Sequence, residues 1–174
     1  SSGSSLVWDA AGGGSGNEMH NIITARISGG SVTTTAGGNV AVTATDRTTV
    51  LSDAGGFAIT LRSASQNNTG ATVAVGVSAS VNIIENTADA TIDGAAVTSA
   101  GAVTVRTRSL SVIEALAIAG TLSGVSTGGS GLNGSGAGAG TGNTVTNTGR
   151  ARIRNSSTVT AGGRVDIEAL DAAD

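Results

Sequence analysis

One feature constrains what this chain can fold into more than any other: it repeats itself. Asn21-Ile-Ile-Thr-Ala-Arg-Ile, Asn86-Thr-Ala-Asp-Ala-Thr-Ile and Asn147-Thr-Gly-Arg-Ala-Arg-Ile align at offsets of 65 and 61 residues. Each then runs on into Ala36-Gly-Gly-Asn-Val-Ala-Val, Ala100-Gly-Ala-Val-Thr-Val or Ala161-Gly-Gly-Arg-Val-Asp-Ile. Self-similarity at a fixed period marks stacked architectures, in which one unit cannot bury its apolar face without its neighbours.

The text between these anchors has the period of a strand. Val40-x-Val42-x-Ala44, Phe57-x-Ile59-x-Leu61, Val73-x-Val75-x-Val77, Val103-x-Val105 and Val165-x-Ile167-x-Ala169 all alternate, which predicts strands with these apolar residues turned inward. Glycine pairs at 29/30, 37/38, 55/56 and 162/163 bracket the runs and predict turns. With strands of about 5–6 residues plus corners, a coil takes roughly 20–22 residues, so each repeat is expected to hold about three coils. The predicted fold is an all-β parallel β-helix (β-solenoid). Its domain spans 17–174, in repeats of approximately 17–80, 81–142 and a partial 143–174. Residues 1–16 read as a low-complexity linker or the tail of a preceding repeat.

Two segments are less regular. Leu110–Gly120 reads as a strand with Val112, Leu116 and Ile118 inward, or as a helix; its alignment with Thr49–Gly56 favours the strand, with Glu114 at an inward parity. Ser126–Gly142 is almost entirely small residues and predicts a flexible loop, the alternative being a tightly packed glycine coil.

Composition narrows the core and the chemistry. There is no proline, cysteine or lysine, and Trp8 and Phe57 are the only aromatic residues. Valine and alanine fill little volume, which fits a narrow stacked core. A net charge of −3 provides no footprint for nucleic acid, and no apolar run reaches the ~18–20 residues of a membrane helix, so no membrane insertion is expected.

Catalytic signals are weak. His20 is the only histidine and reads as a solvated surface residue. Asp89 and Asp93 align with Thr24 and Ser28 in one copy and Arg150 and Arg154 in the other, a variation that reads as solvated decoration. Calcium repeats of the Gly-Gly-x-Gly-x-Asp type are not matched, which leaves one isolated acidic group at Asp166, Glu168 and Asp171. No catalytic, cofactor-binding or metal-ligating residue is put forward, no cofactor is expected, and the chain is read as no enzyme. Thr-x-Thr pairs (33/35, 43/45, 144/146, 158/160) would order water on an ice-binding face if ranked on every coil; the middle copy interrupts them, and threonine is in any case a good strand residue. The arginines at 106/108 and 150/152/154 read as a solvated face, or as a rim that pairs with acids on another subunit. Asn21, Asn86 and Asn147 read as corner residues, because with three coils per repeat they would not be neighbours. The sequon-like Asn67-Asn68-Thr69, Asn133-Gly-Ser135 and Asn155-Ser-Ser157 are expected by chance.

Val81-Asn-Ile-Ile-Glu-Asn-Thr-Ala-Asp-Ala-Thr-Ile-Asp-Gly-Ala-Ala-Val-Thr-Ser-Ala-Gly-Ala-Val-Thr-Val, with the third copy ending Thr158-Val-Thr-Ala-Gly-Gly-Arg-Val-Asp-Ile-Glu-Ala, resembles the repeats of giant bacterial surface proteins. These are the filamentous-haemagglutinin-like adhesins, autotransporter passengers and leukotoxin-type filamentous proteins. The resemblance covers about residues 17–174 and rests on a degenerate motif. It implies a right-handed β-helix exported to the cell surface, serving adhesion or forming an extracellular fibre. The partners it implies are further copies, end to end or laterally, and host or neighbouring-cell surface glycans or proteins. A glycan-binding or glycan-cleaving β-helix is the rival function, and a groove with convergent carboxylates or stacked aromatics would mark it.

Overall fold

The computed structural model describes residues 5–63, 70–126 and 131–173; the sequon-like Asn67-Asn68-Thr69 and part of the 126–142 stretch lie outside them. Every element is a strand: β1 (Ser5–Ser28), β2 (Ser31–Thr33), β3 (Val40–Ser63), β4 (Gly70–Asp93), β5 (Ala96–Ser99), β6 (Val103–Ser126), β7 (Gly131–Arg154), β8 (Thr158–Ala161) and β9 (Val165–Ala173). They form three three-stranded sheets, β1-β4-β7, β2-β5-β8 and β3-β6-β9. The recorded ladders are parallel, with Val32 abreast of Val97, Val97 of Val159, and Val105 of Ile167. This is the parallel β-solenoid that the alternation and the repeat predict.

The coil count differs from the expectation. Ser31 pairs with Ala96 and Ala96 with Thr158, so strands one whole repeat apart lie side by side, and each 61–65-residue repeat makes one coil rather than three. The expectation failed on strand length: β1, β3, β4, β6 and β7 each run for 24 residues, several times the usual length. Residues 5–16, read as linker, are strand, and so is the glycine-rich stretch from Gly131, read as loop. Leu110–Gly120 is strand as favoured, but with the opposite parity: Ser111, Ile113, Ala115, Ala117 and Ala119 turn inward, while Glu114, Leu116 and Ile118 are exposed.

Contacts divide the chain into two compact units. The aliphatic unit comprises Glu18–Val50, Ile83–Ile113 and Thr144–Asp174. Its core is Val40, Val42, Ala44, Ala88, Ala90, Ile92, Ala95, Val97, Val103 and Val105, flanked by Ile23, Ile27, Val32, Ile153 and Val159. Its corners use backbone that only small or local-bonding residues adopt: Gly29, Gly30 and Gly37 lie at φ +63°, +67° and +78°. The predicted turns at 29/30, 37/38 and 162/163 are found, whereas 55/56 is not a turn.

The small-residue unit comprises Ser1–Asn17, Leu51–Asn82 and Glu114–Asn143, and in it the usual partition is reversed. Its buried side chains are Ser52, Ala54, Ala58, Thr60, Thr72, Ala74, Ser78, Ser80 and Asn82. Its large apolar residues, Leu51, Phe57, Ile59, Leu61, Val73, Val75, Val77, Val81, Leu116 and Ile118, face outward. The inward assignment of Phe57-x-Ile59-x-Leu61 and Val73-x-Val75-x-Val77 is therefore corrected. The cause is the sheet separation. A Cβ on Gly13 would stand 1.9 Å from the Gly55 carbonyl oxygen, one on Gly56 2.5 Å from that of Val77, and one on Gly76 2.6 Å from that of Gly120. Backbones touch across this interior, so only Gly, Ala, Ser, Thr and Asn fit between them. Gly56 is such a spacer inside β3, whereas Gly55 beside it faces outward.

Candidate functional site

The polar residues that recur through the repeat meet between coils. In the small-residue unit, Asn17 Nδ2 donates to Asn82 Oδ1 and Asn82 Nδ2 to Asn143 Oδ1, both at 2.9 Å. This is an amide ladder with one member per coil. Its ends are unlike, with the Asn17 carbonyl at one and the Asn143 amide N–H at the other. Thr72 donates to Asn133 Oδ1 at 2.6 Å in the same register.

In the aliphatic unit, Asn21, Asn86 and Asn147 lie mid-strand on β1, β4 and β7, not at corners, and the first two bind a buried carboxylate. Asp46 on β3 is 1% exposed. It accepts from Asn21 Nδ2 (3.1 Å), Asn86 Nδ2 (2.5 Å) and Thr48 Oγ1 (3.1 Å). Asn86 Nδ2 also reaches Ser111 Oγ, which donates to Asn147 Oδ1, and Asn147 Nδ2 donates to Asp171 at 2.8 Å. No salt bridge to Asp46 occurs among the described residues; the buried carboxyl group is held by hydrogen-bond donors alone, which low-dielectric surroundings strengthen. Sequence reasoning missed Asp46. The signal was an Asp at an inward parity two residues from an inward Thr.

The arginines and acids also pair between coils. Asp93, 5% exposed, receives Arg26 from β1 and Arg154 from β7, the latter at 2.9 Å, with Asn155 Nδ2 at 2.5 Å. Arg152 pairs with Asp89 in the same way. The change from Asp93 to Arg154 between copies, read as solvated decoration, is charge complementarity between adjacent coils, whereas Asp89 pairs with Arg152 and not with its aligned Arg150. Burial pushes both carboxyls up, but for Asp93 the Asn155 amide with Arg154 and Arg26, and for Asp89 the Thr91 hydroxyl with Arg152, outweigh it and hold each below the usual 3.8. A carboxyl with a lowered folded-state pKa contributes stability above its unfolded value and loses it as pH falls through the folded one. The expected result is a urea midpoint that drops as pH falls below about 3.8, with a smaller drop for Asp93→Asn; an unchanged acid slope in that variant would remove Asp93 from the account.

The acidic group considered for calcium does not converge: Asp166 pairs with Arg164 (2.5 Å), Glu168 with Arg106 (2.7 Å), and Asp171 with Asn147. Among the described residues no three His, Asp or Glu are grouped as metal ligands. His20 lies exposed on β1, at 2.7 Å from Glu18 and 3.3 Å from Glu85, beside a shallow depression of about 210 Å³ lined by Asn21, Asn86 and Thr146. The Glu18 hydrogen bond, then the charge of Glu85, raises its pKa above 6.5 against a lowering by burial. On β2-β5-β8, Thr33, Thr98 and Thr160 stand abreast and exposed, but the rank beside them is Ser31, Ala96 and Thr158. The middle coil thus joins one threonine rank and interrupts the next.

These constellations hold coils together. The edges that they leave are the remaining candidate surface. Val103 and Val105 are 0% exposed, whereas their partners Val165 and Ile167, on the outermost strand of the sheet among the described residues, are 45% and 52% exposed. No family model, no curated protein and no solved structure matches this chain.

Proposed function

We propose that this chain is a structural segment of a large exported bacterial surface or fibre protein, a non-catalytic β-solenoid that extends by stacking coil on coil. The observation that carries the reading is that each coil seats the next in register: Val103 and Val105 are fully buried abreast of Val165 and Ile167, and the same columns recur in every repeat. The ladder ends support it: Asn143 Nδ2 at one end is the donor that Asn17 Oδ1 at the other would accept. A further β1-β2-β3 edge laid on β7-β8-β9 continues the sheets and buries that aliphatic strip. Open edges of this kind are templates for pairing, and head-to-tail contact yields filaments when the rotation does not close. Reach, stiffness and a repeated outer surface for adhesion would be the output.

Ile167→Asp tests the stacking. It places a charge on the uncovered strip at a position half open to solvent, so the isolated fold tolerates it. The parent chain is expected to form head-to-tail oligomers in sedimentation velocity and short filaments in negative-stain microscopy, and Ile167→Asp to lose them. A parent that stays monomeric at all concentrations would count decisively against the reading.

A further inference from the structure

The outward face of β1-β4-β7 in the small-residue unit has a relief that the stacking reading does not use. On β4 the outward residues are Val73, Val75, Val77, Ala79 and Val81. The registers that join Thr72 to Asn133 and Asn82 to Asn143 set Gly134, Gly136, Gly138, Gly140 and Gly142 of β7 beside them. On the other side Gly12, Gly14 and Gly16 of β1 lie against the backbone of Val77, Ala79 and Val81. A Cβ on Gly136, Gly138, Gly140 or Gly142 would meet nothing within 4 Å. The face is therefore a valine ridge with a glycine furrow along β7 and a shorter one at Gly12, Gly14 and Gly16 of β1, which ends where exposed Trp8 comes abreast of Val73; none of these positions is charged. Of the chain's nine cationic and twelve acidic residues, this unit holds only Asp9, Asp53, Arg62 and Glu114.

We infer that this face is a lateral interface with a second copy of the chain, the β4 valine ridge of each seated in the β7 glycine furrow of the other. The relief is self-complementary under a two-fold axis parallel to the strands: β4 then lies over the partner's β7, and β7 over the partner's β4, with heights along the strands preserved. Such an isologous contact closes on itself. Only β4 and β7 overlap about this axis, so a strand rise of ~3.3 Å and spacing of ~4.8 Å make the covered face roughly 30 Å by 10 Å. A pair removes on the order of 600 Å² from water, in the range of weak and transient contacts. The contact is accordingly a weak one, suited to bundling chains already aligned. The outward face of β3 and β6 in the same unit is apolar too, but it carries Asp53 and Glu114, and the Phe57 ring fills the space over Gly120. It has no furrow. A lipid surface fits the β1-β4-β7 face less well than a second copy does, because hydrocarbon leaves the backbone groups of an open edge unpaired.

The test uses the full chain carrying Ile167→Asp, so that end-to-end stacking and lateral pairing are read separately. Sedimentation at high micromolar concentration is expected to show a monomer–dimer equilibrium. Val77→Glu on the ridge and Gly138→Val in the furrow are each expected to weaken it at least tenfold with the far-UV circular dichroism unchanged. A second measurement does not depend on a loss. The chain has no cysteine, so a mixture of Val77→Cys and Gly138→Cys chains should oxidise to the mixed disulfide in preference to either homodimer. Dimers that persist in both charged and filled variants overturn the proposal, as do a monomeric end-blocked chain and a random crosslink distribution. Flotation of the monomer with phosphatidylcholine vesicles would overturn it in favour of lipid.

Discussion

Gly76→Ala should cost the fold about 3 kcal/mol or more, whereas Gly138→Ala, the same change 62 residues on, should cost less than about 0.5 kcal/mol. Gly76 is inward on the central strand β4. Its added methyl would stand 2.6 Å from the Gly120 carbonyl oxygen, 3.3 Å from its carbon and 3.2 Å from Thr121 Cγ2. Two of these three are backbone atoms of a strand paired along its length, which cannot turn aside as a side chain would, so the sheets must part over several residues. Parting them loses the contacts of Ala74, Ser78 and Ser80 as well. Gly138 faces outward with nothing within 4 Å, and a methyl there only raises strand propensity. Urea unfolding followed by far-UV circular dichroism, at concentrations too low for association, separates the two. Equal effects would mean that the interior is wider than described and that the reversed partition is mistaken.

The second large effect is expected at Asp46. Asp46→Ala should destabilise by about 2 kcal/mol, because it strips an acceptor from Asn21, Asn86 and Thr48 at once; the amides keep Thr48 Oγ1, and Asn86 also Ser111 Oγ, but the buried Thr48 hydroxyl loses both carboxylate oxygens it donates to. Asp46→Asn should cost at least about 1 kcal/mol less, since the amide keeps an acceptor oxygen and removes a buried charge. Its new N–H₂ replaces one of the two oxygens, so either Asn21 Nδ2 or Asn86 Nδ2 must rely on Thr48 Oγ1, which lies within 3.0 Å of both. Equal losses in the two variants would show that the charge itself, and not the acceptor geometry, holds the lane together.

Much of the fold was legible in the repeat and the alternation. Val40, Val42, Ala44, Val103 and Val105 were placed inward and are buried, because in the aliphatic unit the larger residues fill the core as usual. The same rule misplaced Phe57, Ile59, Leu61, Val73, Val75 and Val77. Alternation tells two faces apart but not which one is inside, and here both are non-polar. What decides is sheet separation, and its trace in the sequence was a run of glycine, alanine and serine at one parity in three copies. The coil count failed for a related reason. A typical strand length was imposed on runs that contain no proline and few corner signals. That error carried through to the site: once Asn21, Asn86 and Asn147 were spaced three coils apart, neither the amide lane nor the pairing of Asp89 and Asp93 with β7 arginines could be seen. Read as neighbours, the same aligned columns give the Asn17–Asn82–Asn143 ladder and the Asp93–Arg154 pair directly, and put Arg152 and Arg26 one same-face position away from Asp89 and Asp93.

A coil as long as the repeat also sets the order of events when the chain folds. Ser31 meets Ala96 and Val103 meets Val165, so these ladders close a loop of more than sixty residues before their first hydrogen bond forms. No hairpin or helix offers an earlier foothold. Loop-closure entropy is lost before any contact repays it, which makes such topologies slow and exposes strand edges meanwhile. The sheet ladders cannot begin until strands of two successive coils are present together. Once one such pair has formed, each later coil adds to a finished template. A chain of this kind delivered from one end, in order, would wait once and then zip.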